Sequence, residues 1–247
     1  MPLSLLYEDE WLIAVDKPTG IVVHPTYRNW TGTLLNGLLW HLQSRGRVRP
    51  GPKGPGPRGD GCSPHGEGPG PRDADGPRIV TRLDKDTSGV VLVGLTPQVH
   101  ARIQDDAAKG RVLKQYLALV AGVPEPPRGS IALPLARSAS DRRRVVVDPS
   151  GRESRTGYEV LSSSHGRSVV RCELVTGRTH QIRVHLAARG WPILGDPVYG
   201  AEEAALPRLA LHAWRVTMPH PQTREPLDIA APIPTGLRAL VDQNLTL

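Results

Sequence analysis

Residues 79–89 read IVTRLDKDTSG. Ile79, Thr81 and Leu83 alternate with Val80 and Arg82 in a β-branched run, which predicts a strand. Asp86-Thr87-Ser88-Gly89 follows, a turn whose short side chains can hydrogen-bond their own backbone. A second β-branched run starts at Val90 and continues to Leu95. Asp84 is therefore expected where a strand gives way to a tight loop, aimed by a rigid element with one side open to a ligand. Arg82, Lys85 and the hydroxyls of Thr87 and Ser88 are its neighbours and supply the cations and donors a carboxylate binds. On these eleven residues alone, an aspartate that only closes a turn is the simpler reading.

The surrounding chain narrows the choice. It has 247 residues and a net charge of +7, which suits a polyanionic partner. Phe is absent, and five Trp and five Tyr are the only large aromatics. The core must be aliphatic, and a continuous aromatic platform for stacking many bases is not expected. Cys62 and Cys172 are too few for a disulfide framework or a zinc site. No signal-like N-terminus and no long apolar run is present, so a cytoplasmic protein without membrane contact is expected.

Upstream of the opening stretch, residues 11–15 and 21–23 read as short strands. Thr31 or Thr33 can cap a helix that carries Leu34, Leu35, Leu38, Leu39 and Leu42 at helical spacing, a core stripe. Residues 45–77 differ in kind. More than half of them are Gly or Pro, and apolar side chains are almost absent. Such a segment cannot offset its ordering entropy, and it is expected to be a disordered, solvated insertion. Cys62 and His65 within it lack two further ligands at metal-site spacing.

Downstream, Thr96-Pro97 predicts a helix start, with Val99, Ile103 and Ala107 as its apolar stripe and Gly110 beyond its end. Residues 114–120 predict a strand in which Lys114, Tyr116, Ala118 and Val120 share one face. A lysine beside a tyrosine there points to a partly polar site. Further strands are expected at residues 145–147, 157–161, 169–175 and 209–217, and a turn at 195–200. Thr179 is the expected N-cap of a short helix bearing Ile182 and Leu186 and stopping near Gly190. Arg178, just before it, would add to the anion preference of a helix start. His180 and His185 are five apart, which does not form the paired metal-binding face of a four-residue spacing. The strands cluster without regular βαβ alternation, which predicts an α+β fold.

Four stretches now stand in order. They are Arg82-Leu83-Asp84-x-x-Thr87-Ser88-Gly89; Lys114-x-Tyr116-x-Ala118-Leu119-Val120; Gly177-Arg178-Thr179-His180-Gln181-Ile182-Arg183-x-His185-Leu186; and Gly195-Asp196-x-x-Tyr199-Gly200. Together they resemble the RluA-type pseudouridine synthases. Asp16-Lys17-Pro18, Val23-His24-Pro25 and Leu211-His212-Ala213 support the resemblance, which runs over residues 5–234 and breaks only at the Gly/Pro insertion. Where the family usually has His before Arg-Leu-Asp, this chain has Thr81.

The resemblance implies a single catalytic domain over residues 1–247, with no separate N-terminal RNA-binding domain. It implies a mostly antiparallel mixed sheet, flanking helices and a central cleft. The implied activity is isomerisation of uridine to pseudouridine in structured ribosomal or transfer RNA, without metal or organic cofactor, by a monomer. Asp84 would be the catalytic carboxylate, Tyr116 would pack on the uracil, and Arg183 would pair with Asp84. Arg82, Arg178, Thr87, His180 and Gln181 would contact RNA, with Arg82 stacking in the space of a flipped nucleotide. Two rival readings remain: an RNA-binding protein of the same fold without catalysis, and a hydrolase using Asp84 with His180 or His185.

Overall fold

The computed structural model describes residues 3–25, 29–47, 76–141, 143–200, 206–235 and 237–238. Residues 48–75, and with them Cys62, His65 and nearly all of the expected disordered insertion, lie outside the described residues. Twelve strands and three helices are present among the described residues. In chain order they are β1 (Ser4–Glu8), β2 (Leu12–Lys17), α1 (Leu34–Ser44), β3 (Arg78–Ile79), β4 (Ser88–Gly94), α2 (Pro97–Ala108), β5 (Leu113–Ala121), β6 (Arg128–Ala132), β7 (Leu135–Arg137), β8 (Val145–Val147), β9 (Arg155–Ser164), β10 (Arg167–Leu174), α3 (Gln181–Ala188), β11 (Leu211–Pro219) and β12 (Pro226–Ala230).

Ten strands form one sheet, ordered β1-β2-β4-β11-β5-β10-β9-β6, with β12 on β11 and β3 on β4. β7 and β8 form a separate hairpin pair. Every pairing is antiparallel except β4 with β11, which run parallel. The fold is thus the expected α+β mixed sheet. The centre of the sheet is buried on both faces, which explains its continuous apolar runs. Ile13, Val15, Val91 and Val93 join the core that also holds Leu34, Leu38 and Leu42 of α1. Their alternates Leu12, Ala14, Val90 and Leu92 join the core that holds Val99 and Ile103 of α2. Each fully buried aliphatic side chain stabilises this arrangement by about 1.5–3 kcal/mol.

Local chemistry sets the helix ends. Thr33 is the cap of α1: its hydroxyl accepts from Asn36 N–H, and Asn36 returns a bond to the Thr33 backbone. Thr96 caps α2 with Pro97 in the first turn, as its sequence predicts. Residues 21–23 do not form the expected strand. The Val22 and Val23 carbonyls accept instead from Leu34 and Leu35 N–H, at the first turn of α1. Arg45 and Arg47 were expected to open the disordered segment, but both pair with Glu8 and close α1 against β1. Strands β1, β6, β7 and β12 were not anticipated.

The largest departure lies in the opening stretch. Its first strand shrinks to β3, and residues 80–87 are irregular. Thr81 explains the break: its hydroxyl accepts from Leu92 N–H, a side chain taking a ladder position that a backbone carbonyl would otherwise fill. Asp84 therefore sits in a loop between β3 and β4, not at a strand end. Gly89 then fixes how β4 meets β11. It has φ +112°, and a Cβ there would stand 2.1 Å from the Ala213 carbonyl oxygen, so no other residue fits this parallel junction.

One residue earlier, Ser88 lies opposite His212 in the same junction, and both are almost wholly buried. His212 Nε2 faces the Ala231 carbonyl at 3.5 Å, which assigns the ring proton to Nε2. Nδ1 then accepts from the Ser88 hydroxyl at 2.9 Å, while Arg208 donates to Ser88 Oγ at 2.7 Å. Burial pushes the imidazole pKa down to about 4, and Arg208 adds to the shift. The unfolded chain takes up this proton first, so the stabilisation is whole above pH ~6.5 and erodes as the pH falls towards about 4. The loss should reach about 3 kcal/mol, and His212→Gln should remove that part of the slope in urea titrations across this range.

Candidate active site

The Asp84 loop is held from below by Lys17 at the end of β2. This lysine is fully buried, and its ammonium donates to the carbonyls of Pro18, Ile21 and Lys85 at 2.8–2.9 Å. All three of its donors are used. Burial lowers its pKa to about 8, against the opposing charges of Asp86 and Asp84. Gly20 N–H also donates to Lys85 O, and the Thr19 hydroxyl to Asp86 O. The Asp16-Lys17-Pro18 stretch thus braces the loop from outside the cleft.

Helix α3 approaches from the other side, and its start differs from the expected one. His180, not Thr179, precedes the first turn; it has φ 54° and makes no side-chain cap. The strain of that left-handed residue is offset by Gln181. Its amide oxygen accepts from the Thr176 hydroxyl and Arg178 N–H, and its amide nitrogen donates to Arg155 O and Thr156 Oγ1. Thr156 in turn bonds His185 Nδ1, while His185 Nε2 faces Leu133 O. The Gln181 amide is buried with its donors and acceptor occupied by protein. Gln181 thus has a structural role beside the RNA contact expected of it: it lines the cleft wall and orders the loop that carries Arg178 and His180.

The helix places Arg183 towards the Asp84 loop, only 6% exposed. Its Nε and Nη2 each donate to one Asp196 oxygen at 2.7 Å, a two-point pairing. Its remaining Nη1 donates to Asp84 Oδ2 at 3.0 Å. The sequence led us to expect that the planar fork would grip Asp84; it grips Asp196 and offers Asp84 one bond. Asp196 also accepts from Val198 and Tyr199 N–H. Burial works to raise its pKa, but Arg183 and these backbone donors outweigh it and hold the carboxyl below its ordinary value. Burial likewise opposes the charged guanidinium, and the two carboxylates overcome it.

Tyr199 packs against the guanidinium, 5.1 Å from ring centroid to Arg183 Cζ. Its hydroxyl accepts from Val145 N–H and has its own proton left for His180 Nδ1 at 2.9 Å. That pattern assigns the His180 ring proton to Nε2, 3.8 Å from Asp84 Oδ2. Burial lowers the His180 pKa, with Asp84 opposing and Arg183 reinforcing the shift. Asp84 is one-quarter exposed, and its Oδ1 has no hydrogen-bond partner among the described residues. Tyr116 is buried, and burial together with the Asp84 charge raises its pKa.

All eight expected site residues line one open cleft: Asp84, Tyr116, Arg183, Arg82, Arg178, Thr87, His180 and Gln181. Leu83, Leu174, Ile182 and Leu211 give it apolar walls. Arg82 is exposed, Thr87 is buried, and Arg178 donates to the Glu153 carbonyl at 3.2 Å. The sequence reading missed Asp196, Tyr199 and Lys17 as parts of the site. All three stood in quoted motifs, but no spacing shows which carboxylate a distant guanidinium will hold. Among the described residues, no group of three or more His, Cys, Asp or Glu is placed to hold a metal ion.

An arginine fixed on a buried carboxylate holds a second, partly exposed one at a cleft in a mostly antiparallel α+β sheet. In fold the chain is similar to human RNA pseudouridylate synthase domain containing 1, with TM-score 0.69, 24% identity, and 94% of this chain and 84% of that one covered. It is similar also to human RNA pseudouridylate synthase domain containing 4, with TM-score 0.70, 22% identity, and 95% and 90% covered. At the level of sequence, the RNA pseudouridylate synthase family matches residues 11–188, and the chain belongs to that family. It is 38% identical to ribosomal large subunit pseudouridine synthase D of Nitrosomonas europaea, over 98% of this chain and 65% of that protein. It is 35% identical to the protein of the same name from Zymomonas mobilis, over 97% of this chain and 72% of the relative. The chain thus spans about two thirds of the length of these relatives.

Removing one member of a buried pair leaves the other charge without compensation. Asp196→Ala should therefore cost about 3–5 kcal/mol of unfolding free energy, read as a lower urea midpoint. A loss below ~1 kcal/mol would show that Asp84 alone can hold Arg183.

Proposed function

We propose that the chain is an RNA pseudouridine synthase in which Asp84 is the catalytic carboxylate. The observation that supports this most directly is the division of labour at Arg183. Two of its nitrogens are fixed on Asp196, one holds Asp84 Oδ2, and Asp84 Oδ1 is left towards a cleft that Tyr116 also lines. A carboxylate restrained at one oxygen and free at the other is set to act on a bound nucleotide. A uridine stacked within a helix or folded loop cannot bring its base to Asp84. The reacting uridine must then leave its stack and enter the cleft, and the planar guanidinium of exposed Arg82 can occupy the space it vacates.

In this reading the bond between uracil and ribose breaks, the base turns, and a carbon of the base rejoins the ribose. No atom is gained or lost, so no redox partner and no co-substrate is required. Tyr116 packs on the uracil face. Its raised pKa keeps the phenol protonated, so it serves as a packing surface and hydrogen-bond donor to the base before it serves as a base itself. His180 presents its Nε2 proton at the same carboxylate edge. Arg178 is at the rim as an RNA phosphate contact. Two relatives are named for the large ribosomal subunit, which favours its RNA over transfer RNA as substrate. We further place the protein in the cytoplasm, as a monomer with RNA as its partner; no described helix is long and apolar enough to cross a membrane.

Asp84→Asn keeps the shape of the side chain and loses its charge. It should abolish pseudouridine formation while RNA affinity stays within about threefold of wild type. Turnover by the variant at a comparable rate would overturn the assignment. Arg183→Lys retains a charge but cannot span both Asp196 oxygens and still reach Asp84. It should depress single-turnover rates more than affinity. Arg178→Ala should do the reverse, weakening binding and flattening its salt dependence. Normal chemistry in Arg183→Lys with a dead Arg178→Ala would exchange the two roles.

A further inference from the structure

Strand β5 carries Lys114 on the same face as Tyr116. The register that pairs Glu173 with Gln115 brings Leu174, a cleft residue, beside Lys114. Gly177 lies close by: a Cβ built there would be 3.8 Å from Lys114 Nζ. The ammonium thus sits next to the cleft without lining it, near Leu174 and the loop that leads to Arg178. It is partly buried, and burial lowers its pKa with no neighbouring carboxylate to oppose the shift. Among the described residues it forms no ion pair and no hydrogen bond.

This sets Lys114 apart from the other buried cations around the site. Lys17 has three carbonyls, and Arg183 has two carboxylates. Its Nζ keeps contact with solvent, since no wholly buried side-chain nitrogen or oxygen among the described residues lacks a hydrogen-bond partner, so water holds the ammonium in the free protein. An anionic ligand can displace that water. A compact ammonium suits a single phosphate as a point charge, where Arg would suit a two-point contact. Gly177 keeps the approach to Nζ free of a side chain.

Resting on the pseudouridine synthase reading, we propose that Lys114 binds a backbone phosphate of the RNA strand beside the reacting nucleotide. With Arg82 and Arg178 it forms a set of three cations around the entrance, so that the strand is gripped by charge while the base is held by Asp84 and Tyr116.

Lys114→Met tests this, because the stem keeps its packing and only the charge is lost. Binding to bacterial large-subunit ribosomal RNA transcribed in vitro would be measured in the Asp84→Asn background across a KCl series. The methionine variant should bind about tenfold more weakly at low salt, and its log–log salt slope should be shallower by about 0.7–0.9, one phosphate contact. Its melting temperature should match that of the parent. Lys114→Arg should restore the slope. Superimposable salt curves for Lys114→Met and its parent would overturn the proposal, as would a lowered melting temperature with no recovery in Lys114→Arg. Absence of pseudouridine in that RNA with the wild-type chain would instead count against the proposed function or its substrate, and the salt slopes would still decide Lys114.

Discussion

The two-point bond between Arg183 and Asp196 is the constraint on which the site depends. A guanidinium removed from water needs a partner that fills its fork, and Asp196 does so at 2.7 Å on both sides. With two nitrogens fixed, the direction of the third is no longer free, and that nitrogen meets Asp84. The geometry at the exposed carboxylate is thus set by a second carboxylate that is buried and does not line the cleft. Tyr199 completes the arrangement by covering the guanidinium and by bridging Val145 to His180. Specificity of placement, not net stability, is what such a buried pair supplies here.

Around this bond the fold brings together segments distant in sequence. The Asp84 loop is braced by Lys17 from the first strands, and α3 is ordered by the Gln181 amide against β9. Both devices use buried polar groups whose bonding capacity is satisfied within the protein. These bonds hold the walls of the cleft in place.

Much of this was legible in the sequence. Helix caps at Thr33 and Thr96, the leucine stripe of α1 and the shared face of Lys114 and Tyr116 follow from local rules, and the structure agrees. The eight site residues fall in one cleft because the motifs mark its walls. What could not be read depends on tertiary contacts. Thr81 ends a strand through a hydroxyl that bonds Leu92, eleven residues on. That the Gln181 amide orders a loop is visible only once its four neighbours are known. The preference of Arg183 for Asp196 over Asp84 is decided by the turn at residues 195–200, which spacing alone does not orient. The short strands β1, β6, β7 and β12 owe their existence to partners across the sheet, not to their own composition.

Gly89 has a consequence for how the chain can assemble. If β4 slid one residue along β11 in either direction, Ser88 or Val90 would be brought against the Ala213 carbonyl, and each carries the atom for which there is no room. A missing side chain thus works as an alignment key for the one parallel seam in the sheet. The loop bearing Asp84 leads directly into that seam, so the reactive group is positioned by the same exclusion that selects the strand register.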